Sequence, residues 1–413
     1  MKVAVIGAGI SGLSAAHRLT LGGAEVHVFE REARIGGHTR TVTLPDGRAV
    51  DTGFIVHNRV NYPGFVALMD ELGVPTGPSD MSFAYAGPEL SWCSRGLNGL
   101  LAERRHAFSP RFWRLWREVA RFNAWGRTLA LDPHAGERPL GEALREGGFS
   151  EDFQTAYLHP MAGAVWSTPP GEMQAFPALA LLRFFLHHGM LGFTTQHAWR
   201  TIPGGTSRYL EPLTRPFAGR IRTRAQVASV QRGVGGPEVE VEVAGEGRLP
   251  FDAVVFACHG EQVLPLLTDA DSLEREVLGA FRDNPSPVCL HTDASVLPRA
   301  RRGWASWNFR QTPGSPLLLT YHMNRLQSLG PGGEVFVTLH GEGRVDPARV
   351  AARFEDGHPR FDLAAIRAQA RWAEVNGRGG IHHAGAYWAN GFHEDGLASG
   401  RRAAEAILRG AGR

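Results

Sequence analysis

KVAVIGAGISGLSAAHRL, residues 2–19, runs from an apolar strand through three glycines into a helix. Residues 2–6 are a β-branched apolar run of the kind a buried parallel strand requires, and SGLSAAHRL reads as a helix. Between them Gly7, Gly9 and Gly12 stand at G-x-G-x-x-G spacing, with Ala8, Ile10 and Ser11 interleaved. The first glycine permits a tight turn, the second lets a pyrophosphate approach the backbone, and the third lets helix and strand pack closely. The helix start then offers free N–H groups and the positive end of its dipole to phosphate. AEVHVFE, residues 24–30, supplies a second strand ending in Glu30, followed by Arg31. Glu30 is placed to accept hydrogen bonds from ribose hydroxyls, and an acid there disfavours the 2′-phosphate of NADP. FAD and NAD both use this unit.

The chain has 413 residues, enough for two to three domains, with 43% hydrophobic and 21% charged residues, as in ordinary globular proteins. Cys93, Cys258 and Cys289 are odd in number, widely spaced and without a CxxC pair, which argues against a disulfide framework and a zinc site and for a reducing compartment. Glycines interrupt the apolar N-terminus early, and no run of about 20 apolar residues follows, so a cytoplasmic location is expected. A net charge of +3 is too mild to imply nucleic acid. Lys2 is the only lysine, so no lysine serves catalysis in the body of the chain. His187 and His188 are adjacent, cannot share one helix face, and lack an acid or cysteine at ligand spacing, so no metal is expected. No GxSxG signature for a nucleophile occurs either.

The choice between FAD and NAD comes from REARIGGHTRTV, residues 31–42, and DTGFIV, residues 51–56. This order resembles the flavin-containing amine oxidase and phytoene desaturase superfamily. The resemblance implies that the turn at Gly36 and Gly37, with His38 and Thr39, lies over the FAD pyrophosphate, and that Gly53, Phe54 and Ile55 run beside the isoalloxazine ring. TIPGGTSRYLEPL, residues 201–213, matches the return from substrate domain to FAD domain. Val227 matches the residue whose backbone holds adenine. FDAVVFACHG, residues 251–260, matches the strand that ends near the dinucleotide, here at Ala257. EVEVEV, residues 238–243, alternates as a half-exposed hairpin strand should. The C-terminal GGIHHAGAY and GFHEDGLASGRRAAEAIL then supply the second half of the site, with Glu394, Asp395, Gly396 and Leu397 at a helix start facing the flavin pyrimidine edge. With no cysteine after Cys289, a thioether link there is excluded, so non-covalent FAD is expected.

The implied fold is α/β: a discontinuous Rossmann-type FAD-binding domain (1–56, 201–261 and 376–413) with a second, α+β substrate domain (57–200 and 262–375), amine-oxidase-like. A narrower likeness is carried by VDTGFIVHN, PSDMSF, WSTPP, LHTD, WASWN, YHMNRLQ and GFHEDG. These strings resemble a bacterial group of flavin oxidoreductases related to the N-terminal domain of plant cyclopropane fatty acid synthases, which implies a lipid substrate. Two departures stand out. His38 occupies the position where amine oxidases commonly carry arginine, and the strand that usually holds a lysine near flavin N5 matches PVCLHTD, with Cys289 or His291 at that position.

In the substrate domain, RFWRLWREVARFNAW (111–125) places Phe112, Trp113, Trp116, Val119 and Ala120 on one helical stripe with Arg114, Arg117 and Arg121 largely elsewhere. That helix either packs on its own domain or lies on an anionic bilayer. ALALLRFFLHHGMLGF (178–193) is either core or the wall of a substrate tunnel. For the chemistry, hydride would pass from a substrate C–H to flavin, with a histidine taking the proton. His393, just before the cofactor-binding acids, and His291, on the lysine strand, are the catalytic candidates. The expected function is FAD-dependent desaturation or other oxidation of an apolar, fatty-acyl substrate. The alternatives are a double-bond isomerase, which needs the same flavin geometry, and a lipid-binding escort of the same fold. Oligomeric state stays open.

Overall fold

A computed structural model describes residues 1–166, 172–233, 239–312, 314–315 and 317–411. Residues 167–170 of WSTPP and residue 238 of EVEVEV lie outside them. Five parallel strands form the nucleotide-binding sheet in the order Ile221–Arg222, Glu25–Phe29, Lys2–Ile6, Ala253–Phe256, Ile381–His383. Val3–Ile6 run in register with Ala253–Phe256, whose four residues are all buried. This two-sided burial is what continuous apolar runs such as KVAVI and AVVF encode. The last strand of the chain thus lies one strand away from the first.

Helices Ile10–Leu21 and His393–Ala411 pack side by side on one face of this sheet. Ser14 Oγ donates to Leu397 O at 3.2 Å, and a Cβ at Gly400 would stand 2.1 Å from Ser11 O, so the contact needs glycine. The nucleotide domain is wider than the expected segments 1–56, 201–261 and 376–413. Helix Pro63–Leu72 buries Phe65 and Leu68 with Leu13 and Leu397, and the opposite face of the sheet buries Val263, Val277 and Ala365 with Val254 and Phe256. Their apolar faces follow the nearest sheet, which a boundary drawn from motifs does not reveal.

The second sheet has seven strands in the order Val350–Pro359, Asp283–His291, Phe336–Leu339, Leu318–His322, Trp307–Arg310, Phe83–Ala86, Ser91–Cys93. Against one face pack helices Pro110–Leu131 and Ala178–His187. Phe112, Val119 and Phe122 of the first and Leu181 and Phe185 of the second share a core with Val288, Leu290 and Phe309. The stripe at 111–125 is therefore split: Phe112 and Val119 are fully buried in its own domain, Trp116 is half-buried, and Trp113 and Ala120 are exposed. Among the described residues no helix is long and apolar enough to cross a membrane.

Candidate active site

The two glycine turns meet. Gly7 has φ +101°, and a Cβ there would lie 2.9 Å from Ala257 O. At Gly12 it would lie 1.9 Å from Gly7 O, so strand and helix touch through glycine as the motif requires. Gly36 N donates to Ala8 O at 2.8 Å, and a Cβ at Gly37 would stand 3.1 Å from Gly9 Cα. Phe54 N donates to His38 O, and a Cβ on Gly53 would collide with that same carbonyl at 2.1 Å. Glu30 is held ready by Ala8 N at 2.8 Å and Glu32 N at 2.9 Å, and Ala225 N donates to Glu30 O, bringing the chain that leads to Val227 alongside. Arg31 points outward to an exposed ion pair with Glu32. Ile55 is buried, its carbonyl taken by Thr201 Oγ1 at 2.9 Å.

A Cβ at Gly9, in contrast, would meet nothing within 4 Å. The helix that begins after Gly9 has no side-chain cap and no acid in its first turn. Gly396 closes the other side: a Cβ there would lie 2.9 Å from Ile10 Cγ2 and Ser11 Oγ, so the starts of the two long helices stand together. His38, next to the Gly-Gly turn, is half-buried, with a buried Nε2 that has no hydrogen-bond partner. Open space, uncapped N–H groups and an unpartnered imidazole nitrogen around one cradle fit a dinucleotide pyrophosphate. Arg40, two residues beyond His38, does not replace the family arginine. Its guanidinium forms hydrogen bonds to Asp356 and to Thr52 Oγ1, and this ion pair is buried. Burial pushes the Asp356 carboxyl up, and the Arg40 bonds outweigh it and hold it below its ordinary range.

At the C-terminal half the side chains of consecutive residues part company. His393 turns into the nucleotide domain, stacked on Phe54 at 3.8 Å between centroids, with Nε2 2.9 Å from the Tyr209 hydroxyl. That hydroxyl is 2.6 Å from Thr39 Oγ1. Burial, reinforced by His38 and His57, holds the imidazole well below its ordinary pKa. Phe392 turns the other way, stacked on Phe184 at 4.8 Å, and lines a cavity of about 320 Å³ whose rim carries Arg183, His187, Asn61 and Asn390. Phe392 is thus the aromatic residue facing that cavity, one position before the residue expected to do so. Glu394 is also corrected. Its carboxylate accepts from Gly64 N at 2.7 Å and Phe65 N at 2.8 Å, capping helix Pro63–Leu72, so its side chain is not available to a cofactor. Asp395 accepts from Phe392 N at 2.9 Å and lines the same cavity; burial pushes its carboxyl up to about 6. Leu397 is buried in the helix packing.

His291 is not brought to this site. On its strand Val288 and Leu290 point into the core shared with the helices, while Cys289 lies with Trp304 and Phe336 on the far face, and the His291 ring lies 5.6 Å from that of Phe336. Asp293 N donates to His291 Nδ1 at 3.1 Å, so Nε2 carries the proton and donates to Thr338 Oγ1 at 2.7 Å. With both nitrogens used and burial pushing it down to about 4, it is a structural histidine. Strand period places Cys289 and His291 on one face, and only tertiary packing decides which face that is.

Residues without a motif tie the site together. Asp51 accepts from Thr41 Oγ1, from Thr206 N and Oγ1, and from Gln327 Nε2, joining the D-x-G segment to the 204–206 turn and to the substrate domain. Burial pushes its carboxyl up to about 6 despite these donors. Arg34 donates to the carbonyls of Gly37 and Thr39 and braces the Gly-Gly turn. Tyr209 lay within the quoted return segment, but nothing local marked its hydroxyl as the link between Thr39 and His393.

Fold and cradle define a dinucleotide-binding protein of the Rossmann class. The sequence profile of the flavin-containing amine oxidoreductases matches residues 10–329, and the chain belongs to that family of FAD-dependent oxidoreductases. It is 28% identical over 248 residues, 56% of its own length and 52% of the other's, to AofH of Mycobacterium tuberculosis, a flavin-containing monoamine oxidase by name. It is 33% identical over 89 residues, 21% of this chain and 19% of the other, to the FAD-dependent oxidoreductase dpchF of Colletotrichum higginsianum. The chain spans about half the length, or less, of these curated relatives. Among solved structures it resembles cyclohexylamine oxidase from Brevibacterium oxydans (TM-score 0.73, 16% identity, 100% of this chain and 99% of that one). It also resembles the CLA-producing fatty acid isomerase from P. acnes (TM-score 0.70, 15% identity, 98% of each chain). At such identities these are likenesses of fold.

Proposed function

We propose that the protein oxidises an apolar, fatty-acyl substrate. The observation that carries this reading is the cavity at the start of helix His393–Ala411: an aromatic wall of Phe184 and Phe392 beneath a rim bearing Arg183 and His187. Such a surface suits an amphipathic molecule, its chain against the rings and an acidic head at the rim. Bound FAD supplies a two-electron acceptor that takes a hydride. The glycine turns and the two helix starts would hold its phosphates and pyrimidine edge, and Glu30 would hold its ribose. The inward residues of the strand matched to the family's lysine strand, Val288 and Leu290, offer neither a proton acceptor nor a water anchor, which speaks against amine oxidation.

Asp395 is the residue we assign to receive the proton released with the hydride. It lines the cavity, and a carboxyl held at about 6 is matched to proton transfer near neutral pH. His393, kept neutral by burial, is a weak base and takes a positioning role instead. Isomerisation of an unsaturated chain uses the same groups. Mass spectrometry of the acyl product separates the two, since oxidation removes a pair of hydrogens and isomerisation leaves the mass unchanged. Asp395→Asn is expected to slow turnover by about 10² to 10⁴-fold with FAD retained; an undiminished rate would remove Asp395 from this role. A colourless protein that takes up no FAD would instead favour the escort.

A further inference from the structure

Four large apolar side chains stand in water around the start of helix Pro110–Leu131: Phe108 at 90% exposure, Leu97 at 75%, Phe193 at 64% and Trp113 at 44%. Specific contacts hold them in one neighbourhood. Trp113 Nε1 donates to Ala107 O at 2.9 Å, fixing the turn that carries Phe108. Arg104 donates to Asn98 Oδ1 at 3.1 Å, joining that turn to the short helix that carries Leu97. The Phe193 ring lies 6.2 Å from Trp116, one helical turn beyond Trp113.

Arginines and acids both lie among them, and the two do not cancel one for one. Arg104, Arg105, Arg111, Arg114 and Arg117 are all exposed. Of the nearby acids, Glu103 pairs with Arg105, Glu89 and Asp152 both pair with Arg111, and Glu118 accepts from Ser150 N and Oγ, which leaves Arg104, Arg114 and Arg117 without an acidic partner among the described residues. Arg114 and Arg117 make no hydrogen bond or ion pair among the described residues. The inward face of the same helix is fully used in the core, so the exposed rings are not a misplaced part of that packing. Protruding aromatic and aliphatic tips between unpaired arginines match an anionic lipid surface, whose headgroup region accepts Trp and Phe and whose phosphates neutralise arginine.

We propose that this patch seats the protein on an anionic membrane, with Phe108, Leu97, Phe193 and Trp113 entering the headgroup boundary and Arg114 and Arg117 on lipid phosphate. The surface is distinct from the flavin site and stands whichever substrate is oxidised there. The test is flotation of the FAD-loaded protein with phosphatidylcholine vesicles, with and without phosphatidylglycerol. Binding is expected with the anionic vesicles alone and should fall as salt is raised. Combined Arg114→Gln and Arg117→Gln should weaken it, at about fivefold for each charge, and combined Phe108→Ser and Phe193→Ser should abolish it. Flavin content and melting temperature should stay unchanged in both variants. Absence of binding to either vesicle, equal binding to both, or binding that survives both variants would overturn the proposal. So would self-association of the free protein, removed by the phenylalanine changes, without vesicle binding.

Discussion

His393 Nε2 lies 2.9 Å from the Tyr209 hydroxyl, which in turn lies 2.6 Å from Thr39 Oγ1. This chain joins the C-terminal helix start, the 201–213 return segment and the Gly-Gly turn inside a dry part of the nucleotide domain. His393→Gln should therefore cost stability of about 1–3 kcal/mol, the range for a disturbed buried hydrogen bond, and lower FAD occupancy. Flavin reduction per bound FAD should stay within a few fold of the parent. A variant that keeps its FAD and melting temperature but loses reduction would make His393 a catalytic base after all.

Gly9 and Gly12 should fail differently. Gly9 faces open space, so Gly9→Val is expected to fold with a melting temperature close to that of the parent apoprotein and to bind no FAD. At Gly12 even a methyl group would sit 1.9 Å from Gly7 O, so Gly12→Ala should destabilise the apoprotein itself. Comparing apoprotein melting with FAD titration for the two variants checks this, and equal melting losses would contradict it.

Stability should fall with acid from near pH 6.5. Burial pushes His57, His188, His291 and His382 from 6.5 down to about 4. Between those values the unfolded chain binds more protons than the folded one, so their contribution rises with pH and is lost as pH drops. Asp51 and Asp395, raised from 3.8 to about 6, act in the opposite sense over most of the same window. Four histidines outweigh two carboxyls by two protons, so these six groups leave a net rise with pH of at most about 2.7 kcal/mol per pH unit. Urea midpoints between pH 4.5 and 7.5 should rise and then level off; a flat or falling profile below pH 6.5 would contradict the burial argument.

The nucleotide-binding half was legible because its signals are local. KVAVI, AEVHVFE and AVVF are short apolar runs whose burial on both faces leaves little choice of structure, and Gly7, Gly12, Gly36 and Gly53 each sit where a Cβ would collide with backbone. What local sequence could not carry was phase. The alternation at Cys289 and His291 was visible, but which face met the helices depended on strands more than 40 residues away, among them Phe336–Leu339. Phe392 and His393 are neighbours at the entrance of a helix, where one residue of offset exchanges cavity for core. The apolar stripe of the 110–131 helix likewise announced a buried face without naming what would cover it. Glu394 looked like a site acid, and its partners, the Gly64 and Phe65 amides, are distant in sequence, as is Gln327, which Asp51 holds.

Oxidation of a fatty-acyl substrate is tested by anaerobic stopped-flow reduction of the FAD-loaded protein with an unsaturated fatty acid and, separately, with primary amines. Flavin absorption near 450 nm, a value of about that size for any oxidised flavin, should be lost with the fatty acid and kept with the amines. Rapid bleaching by an amine, with no response to any fatty acid, would contradict fatty-acyl oxidation.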